Sequence, residues 1–87
     1  MKTIKIQIND KIGFHARTAS IFSKEASKFK SIVNIEFKDK KVNGKSMLSI
    51  MSLGVKSGDS VILSCEGKDE EVSINHLKNF IDNNFNS

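Results

Sequence analysis

Along this chain, apolar residues recur every second position in some segments and every third or fourth position in others. This change of period, from that of a strand to that of a helix, restricts the fold more than any other feature. Residues 3–8 alternate apolar and polar side chains, which is typical of a strand buried on one face. Residues 31–38 and 60–66 repeat that alternation. Between these segments the spacing becomes helical. The pattern therefore predicts four strands and three helices in the order βαββαβα.

The first predicted helix begins at Ala16, directly after a loop that ends in Gly13-Phe14-His15. Its apolar stripe should face the sheet and consists of Ala19, Phe22, Ala26 and Phe29. The opposite side is basic and adjoins the loop; it carries Arg17, Ser20, Ile21, Lys24 and Lys28.

The rest of the chain supplies the other three elements. We expect a turn at Asp39-Lys40 before a short third strand over residues 41–43. A second helix over residues 47–53 has Ser46 as its N-cap and Gly54 at its end. A final helix starts after Asp69, a capping residue. Its apolar positions are Ile74, Leu77, Phe80 or Ile81, and Phe85.

Alternating strands leave one sheet face in water, which favours an antiparallel sheet over a parallel one. The helices then cover the other face. The predicted fold class is α+β: a two-layer open-faced sandwich with a four-stranded antiparallel sheet and three helices packed on one face. Residues 1–87 support one domain with one modest core.

Composition narrows the functional classes. No apolar run approaches the roughly 20 residues that span a bilayer, so we expect a soluble, cytoplasmic protein without membrane insertion. Cys65 is the single cysteine, which excludes an internal disulfide, and we expect it to be a buried strand residue. No His/Cys cluster has metal-ligand spacing, so neither a metal nor a cofactor is expected. The net charge of +4 points to acidic or phosphorylated partners.

His15 is the main candidate for chemistry because it precedes a helix whose first N–H groups are unpaired and favour an anion. Arg17 follows within that turn and is the only arginine beside thirteen lysines. The planar guanidinium of arginine can donate two parallel hydrogen bonds to phosphate oxygens, which the ammonium group of lysine does poorly. We interpret the stretch as a phosphoryl-accepting histidine; the alternative is an ordinary surface or capping histidine.

The second candidate site lies at the second helix. Ser46 is either a plain cap or a hydroxyl where an added phosphate would be tolerated. The helix is apolar all round, so part of it must be exposed, and Met47, Leu48 and Met51 are either a docking surface or core. A P-loop is rejected because Asp39 stands where that motif needs glycine.

His76 has no carboxylate close by at helical spacing and is interpreted as a surface residue. No Ser–His or Cys–His catalytic pair is evident.

Gly13-Phe14-His15-Ala16-Arg17, with Lys45-Ser46 and Met51-Ser52-Leu53-Gly54 at the matching separation, resembles the HPr family over essentially the whole chain. These are histidine-containing phosphocarriers of the bacterial phosphoenolpyruvate-dependent sugar phosphotransferase system. The resemblance implies a carrier, not an enzyme by itself. Its partners would be enzyme I of that system, sugar-specific enzyme II A components and an HPr kinase/phosphorylase, and the protein would be a monomer that binds no nucleic acid.

The resemblance also implies roles for individual residues. His15 would accept the phosphoryl group, on the δ nitrogen, with Arg17 and the Ala16 and Arg17 amides holding it. Ser46 would be the regulatory phosphorylation site of catabolite control. The partner-docking residues would be Ser20, Lys24, Met47, Leu48 and Met51.

Two positions depart from the family pattern. Thr18 replaces the usual proline, which adds a backbone donor and removes some rigidity in the first turn. Ile12 replaces a small polar residue, which is expected to weaken the cap near His15. A family paralogue that has lost the histidine is excluded because His15 is present.

Two other hypotheses remain open. A basic nucleic-acid-binding module would need aromatic rings on the open sheet face, whereas Phe37 shares its face with Val33 and Ile35. A purely regulatory protein would be modified at Ser46 alone.

Overall fold

The computed structural model describes residues 1–11 and 13–85, and the expectation for Ile12 lies outside the described residues. The element order βαββαβα is confirmed. The elements are β1 (Lys2–Gln7), α1 (Ala16–Ala26), β2 (Ile32–Phe37), β3 (Lys40–Asn43), α2 (Met47–Met51), β4 (Ser60–Glu66) and α3 (Glu70–Asp82). No helix in the described part of the chain is long and apolar enough to cross a membrane.

The four strands form one antiparallel sheet in the order β1-β4-β2-β3. Leu63 of the central strand β4 pairs with Ile4 on one side and with Ile35 on the other. Because side chains alternate along a strand, this register places the apolar positions of neighbouring strands on the same face. The predicted α+β sandwich with three helices is thereby confirmed.

The core lies between this apolar sheet face and the helices. Strand residues such as Val33 and Leu63 and helix residues such as Phe22 and Leu77 are fully buried in one cluster. Phe29 and Phe37 pack against its edge, and the other four phenylalanines are inside it. Cys65 is buried as expected, and that burial raises the pKa of its thiol.

Several predicted boundaries shift. The hairpin turn consists of Lys38 and Asp39, both with positive φ (50° and 66°), and not of Asp39-Lys40, because Lys40 already pairs with Phe37. Two consecutive left-handed residues are what a two-residue hairpin needs to match the twist of its strands. The second helix ends at Met51, two residues earlier than expected, although Gly54 has the expected left-handed φ of 70°.

Asp69 is the N-cap residue of α3, as predicted, but its side chain makes no capping hydrogen bond to that helix. Its carboxylate instead accepts hydrogen bonds from the backbone N–H groups of Lys30 and Ser31, both at 2.9 Å, and from the Ser31 hydroxyl. The Ser31 hydroxyl is the main reason why the pKa of Asp69 is lowered. The aspartate therefore ties the start of α3 to the entry of β2.

His76 is exposed, as expected, but it has a carboxylate partner that helical spacing did not indicate. Its Nε2–H donates to Oε1 of Glu25 on α1, at 2.7 Å. This hydrogen bond is the main cause of the lowered pKa of Glu25, and Lys28 contributes a further ion pair at 3.1 Å. The interaction joins two different helices, so the spacing within α3 carried no sign of it.

Candidate functional site

The loop before α1 is held against the segment between α2 and β4. Phe14 donates its backbone N–H to the carbonyl of Val55 at 3.1 Å, and its buried ring contacts Phe22 and Phe85. Gly13 has φ +93°, and a Cβ there would lie 2.5 Å from the Val55 carbonyl oxygen. Only glycine fits this close approach of two backbones. The backbone on the N-terminal side of His15 is therefore anchored by packing.

Thr18 anchors the same loop from inside the helix. Its fully buried hydroxyl donates to the Gly13 carbonyl at 2.8 Å and accepts from the His15 backbone N–H at 3.1 Å. The second contact is the one that the third helical residue makes in a capping box. The rigidity expected to be lost with proline is thus replaced by two side-chain hydrogen bonds.

His15 is the N-cap of α1, with extended backbone angles of φ −111° and ψ −173°. Its ring nitrogen Nδ1 accepts the backbone N–H of Arg17 at 3.4 Å. The imidazole thus points toward the first amides of the helix, the orientation that the sequence interpretation required. The side chain is 27% exposed, so part of the ring reaches solvent.

The other ring nitrogen has different surroundings. Nε2 of His15 is shielded from solvent and has no hydrogen-bond partner among residues 1–11 and 13–85. The carboxylate oxygen Oδ2 of Asp10 lies 3.8 Å from it. Sequence reasoning missed Asp10, because a loop carboxylate five residues before the histidine fits neither helical nor strand spacing.

The basic face of α1 is where the sequence placed it, except that Ile21, expected on this face, is partly buried and packs against the core. Arg17 and Lys24 are exposed, and Ser20 is half-buried between them. Within the described part of the chain the Arg17 guanidinium forms no ion pair. Ala16 is the first helical residue, directly after His15.

Ser46 is the N-cap of α2, as predicted, and its hydroxyl oxygen accepts the Ser49 N–H at 3.3 Å. Two contacts of the preceding residue fix the approach to this cap. The Lys45 N–H donates to the Asn43 side chain at 2.9 Å, and the Lys45 ammonium donates to the Phe29 carbonyl at 2.7 Å.

The apolar residues of α2 divide into two groups. Ile50 is fully buried, and Met47 is half-buried against the core. Leu48 is 72% exposed and Met51 is 37% exposed. These exposed side chains lie on a helix that packs against α1.

No group of three or more His, Cys, Asp or Glu that could hold a metal ion occurs among the residues the structure describes. The open sheet face likewise carries no aromatic ring, since all six phenylalanines belong to the core or pack against it. This leaves the nucleic-acid interpretation without the stacking platform it needs.

The fold and the site define a class of small α+β domain that presents one imidazole over the start of its first helix. A family model for the "PTS HPr component phosphorylation site" matches residues 2–83. The chain is 42% identical over 79 residues to the phosphocarrier protein HPr of Mycoplasma pneumoniae, covering 90% of each. It is 39% identical over 77 residues to the HPr-like protein Crh of Bacillus subtilis, covering 88% of this chain and 91% of Crh.

Among solved structures, HPr-C-His from Thermoanaerobacter tengcongensis superposes with a TM-score of 0.94 at 49% identity, over 98% of this chain and 96% of that one. The chain belongs to the HPr family of phosphocarrier proteins of the phosphotransferase system.

The similar structures include dimers of two proteins. One is an HPr dimer from Thermoanaerobacter tengcongensis, with a TM-score of 0.78 and 48% identity over the whole of both chains. The other is Crh of Bacillus subtilis, an intertwined dimer with a swapped domain, with a TM-score of 0.77 and 37% identity over 95% of each chain.

Proposed function

We propose that Nδ1 of His15 is the atom that accepts and later releases the phosphoryl group. The observation that carries this proposal is the direction of the imidazole: Nδ1 faces the Arg17 amide at the start of α1, whereas Nε2 is shielded from solvent. In the transfer, an Nδ1–P bond forms while the bond from phosphorus to the donor's leaving group breaks. The leaving group keeps the electron pair of the broken bond.

The start of α1 then binds the transferred group. The Arg17 N–H, released from Nδ1, and the neighbouring Ala16 N–H turn to the phosphoryl oxygens, and the Arg17 side chain adds a permanent positive charge. Helix-end interactions of this kind contribute only about 0.3–1 kcal/mol each at an exposed site. Weak binding suits a carrier, because the same phosphoryl group must be passed on.

Residues 1–87 act in this proposal as one phosphocarrier domain in the cytoplasm. Enzyme I of the phosphotransferase system supplies the phosphoryl group from phosphoenolpyruvate, and sugar-specific enzyme II A components receive it during sugar uptake. The chain is no enzyme by itself, because the partner must position and stabilise the phosphoryl group in flight. Membership in the HPr family supports these partners.

The direct test of the acceptor uses phosphoenolpyruvate with a radioactive phosphoryl group and purified enzyme I. Acid-labile label should appear on the wild-type chain and be absent from His15→Ala. His76→Gln is the matched control, since it removes the only other histidine, and it should be labelled like the wild type. Label that survives His15→Ala would overturn the assignment.

We assign partner docking to the exposed parts of α1 and α2: Ser20, Lys24, Met47, Leu48 and Met51. Leu48 is the sharpest test because its side chain is 72% exposed and its truncation leaves no cavity. Leu48→Ala should keep wild-type thermal stability while phosphoryl transfer from enzyme I slows. Val72→Ala, which truncates an exposed residue of α3, is the control and should leave the rate unchanged. Equal rates for both variants would remove Leu48 from the docking surface.

We assign regulatory phosphorylation to Ser46. A phosphate at this cap would lie at the positive end of α2 and add a charge of about −1.5 to −2 beside apolar docking residues. Incubation with ATP and an HPr kinase/phosphorylase should modify the wild type and Ser52→Ala but not Ser46→Ala, as measured by mass spectrometry. Modified protein should then accept label on His15 more slowly. Modification without label on His15 would favour the purely regulatory alternative.

We expect the chain to be a monomer in solution, since β1 completes its pairing with β4 of the same chain. Light scattering coupled to size-exclusion chromatography over a range of concentrations tests this. A dimer like those of the two relatives would contradict it.

A further inference from the structure

The two nitrogens of His15 face groups of opposite hydrogen-bonding character. Nδ1 faces a donor, the Arg17 backbone N–H at 3.4 Å. Nε2 faces an acceptor, the Asp10 carboxylate oxygen at 3.8 Å. Nε2 is also closed to solvent, so bulk water does not compete with the carboxylate for it. Neutral imidazole carries its proton on one nitrogen only, and such neighbours decide which one.

In the tautomer with the proton on Nδ1, the N–H of the ring would point at the N–H of Arg17. The lone pair of Nε2 would point at an anionic oxygen. Both contacts are repulsive. In the tautomer with the proton on Nε2, the Nδ1 lone pair accepts from Arg17 and the Nε2–H points toward the carboxylate. Both ends of the ring therefore favour the same tautomer.

We propose that Asp10 is a positioning residue that holds His15 in the Nε2–H tautomer, so that Nδ1 presents its lone pair to the incoming phosphoryl group. This inference rests on the proposed role of His15 and deepens it. The separation of 3.8 Å is longer than a hydrogen bond, so Asp10 acts by charge and orientation across a short gap. The Arg17 N–H, acting on Nδ1, and the Asp10 carboxylate, acting on Nε2, thus favour the same tautomer.

Asp10 has a second effect once the N–P bond has formed. The ring that attacked with its Nδ1 lone pair keeps the proton on Nε2, so the imidazole ring of the phosphohistidine is cationic. The Asp10 carboxylate then lies beside a positive ring. The attraction between the carboxylate and the ring is strongest when the ring is phosphorylated and cationic. Asp10 therefore stabilises the phosphohistidine more than it stabilises the neutral histidine.

The test combines two readouts on Asp10→Ala and Asp10→Asn, with Asp82→Asn as control because it removes a carboxylate from the far end of α3. Nitrogen-15 NMR of the imidazole at alkaline pH reports the tautomer of His15 without any phosphorylation. The rate of label uptake from enzyme I reports transfer. The wild type and Asp82→Asn should hold the proton on Nε2.

Asp10→Ala should shift the tautomer balance toward Nδ1–H and slow label uptake by roughly tenfold, as expected when an orienting carboxylate is lost from a histidine. Asp10→Asn keeps an oxygen acceptor in a similar position and should fall between Asp10→Ala and the wild type in both readouts. Unchanged amide NMR spectra away from the loop would establish that each variant is folded.

A His15 tautomer ratio in Asp10→Ala equal to that of the wild type would overturn the positioning role. An altered ratio with an unchanged transfer rate would also overturn it. A wild-type chain that takes no label would remove the proposed function instead, and the NMR comparison separates the two failures.

Discussion

Three residues around His15 decide how its ring is presented, and each does so through its backbone or a short side chain. Gly13 permits two backbones to touch, Thr18 holds the loop carbonyl and the His15 N–H, and the Arg17 amide fixes the direction of the imidazole. None of these contacts uses a long flexible side chain. The imidazole is therefore oriented before any partner arrives, which, in the proposed role of His15, reduces the entropy lost on transfer.

Gly13→Ala should destabilise the fold and displace His15. Its Cβ would lie 2.5 Å from the Val55 carbonyl oxygen and would also force a side chain into φ +93°. Gly54→Ala is the matched control: its φ of 70° carries the conformational cost of about 1–2 kcal/mol, but apart from its chain neighbours no described residue has an atom within 4 Å of the added Cβ. Urea unfolding should find Gly13→Ala at least about 1 kcal/mol less stable than Gly54→Ala. Equal losses would mean that the loop yields without strain.

Thr18→Val keeps the shape of the side chain and removes its hydroxyl. The Gly13 carbonyl and the His15 N–H would each lose a hydrogen bond from that group. Loss of a buried hydrogen-bonding partner costs about 1–3 kcal/mol, and we expect thermal unfolding to occur about 4–8 °C lower for each 1 kcal/mol lost. Thr18→Ser, which retains the hydroxyl, should lose less. A Val variant as stable as the wild type would show that the hydroxyl does not anchor the loop.

Among the helices and strands, polar contacts join elements that are distant in the chain. The Asp69 carboxylate connects α3 with the entry of β2, and the Glu25–His76 hydrogen bond connects α1 with α3. The ring of His76 also contacts the rings of Phe29 and Phe80, with ring centroids 5.3 Å and 6.4 Å away. These contacts hold the two long helices in register above the sheet, and α1 carries the histidine.

A double-mutant cycle on Glu25 and His76 should measure a favourable coupling of about 0.5–1 kcal/mol. The carboxylate is largely buried, so water screens this pair less than a surface pair. The exposed Lys78–Asp82 pair of α3, at 2.9 Å, is the reference and should give about 0.3–0.5 kcal/mol. A coupling for Glu25–His76 no larger than that of the reference would contradict its role in joining the helices.

For the molecule as a whole, we expect the free energy of unfolding to fall at acid pH. The folded state lowers the pKa of Glu25 through His76, of Asp69 through Ser31 and of Glu70 through the Gly67 N–H. Below about pH 4.5 the unfolded chain therefore binds more protons than the folded chain. The stability that these three carboxylates contribute is fully present above their pKa values in the unfolded chain. It is lost as the pH falls through their lower pKa values in the folded chain.

Urea unfolding at a series of pH values between 7 and 3 should record a falling free energy of unfolding below about pH 4.5. Glu25→Gln should flatten part of that fall because one of the three carboxyls no longer titrates. Glu71→Gln, which removes an exposed carboxylate of the same helix as Glu70, should leave the slope as in the wild type. A free energy of unfolding that stays constant down to pH 3 would contradict the prediction.

Much of the fold followed from local rules. Alternation in β2 and β4 and the stripe through Ala19, Phe22 and Ala26 are properties of neighbouring residues, and each predicts which side of its element is buried. Element ends were less exact: the second helix ends at Met51, although the apolar pattern continues to Leu53, which is buried after the helix has ended. The candidate histidine was found for the same local reason, because a helix start lies directly after it.

What the sequence by itself determined is therefore the order of the elements, the buried faces and the location of His15 at a helix N-terminus, because all three depend on residues within a few positions of one another. Only the tertiary structure decided that Asp10 faces Nε2, that Glu25 meets His76, and that Asp69 binds Ser31 instead of capping its own helix. These contacts join separate elements or lie in a loop without periodicity. Their partners are selected by how the chain packs, and spacing along the sequence carries no signal for that.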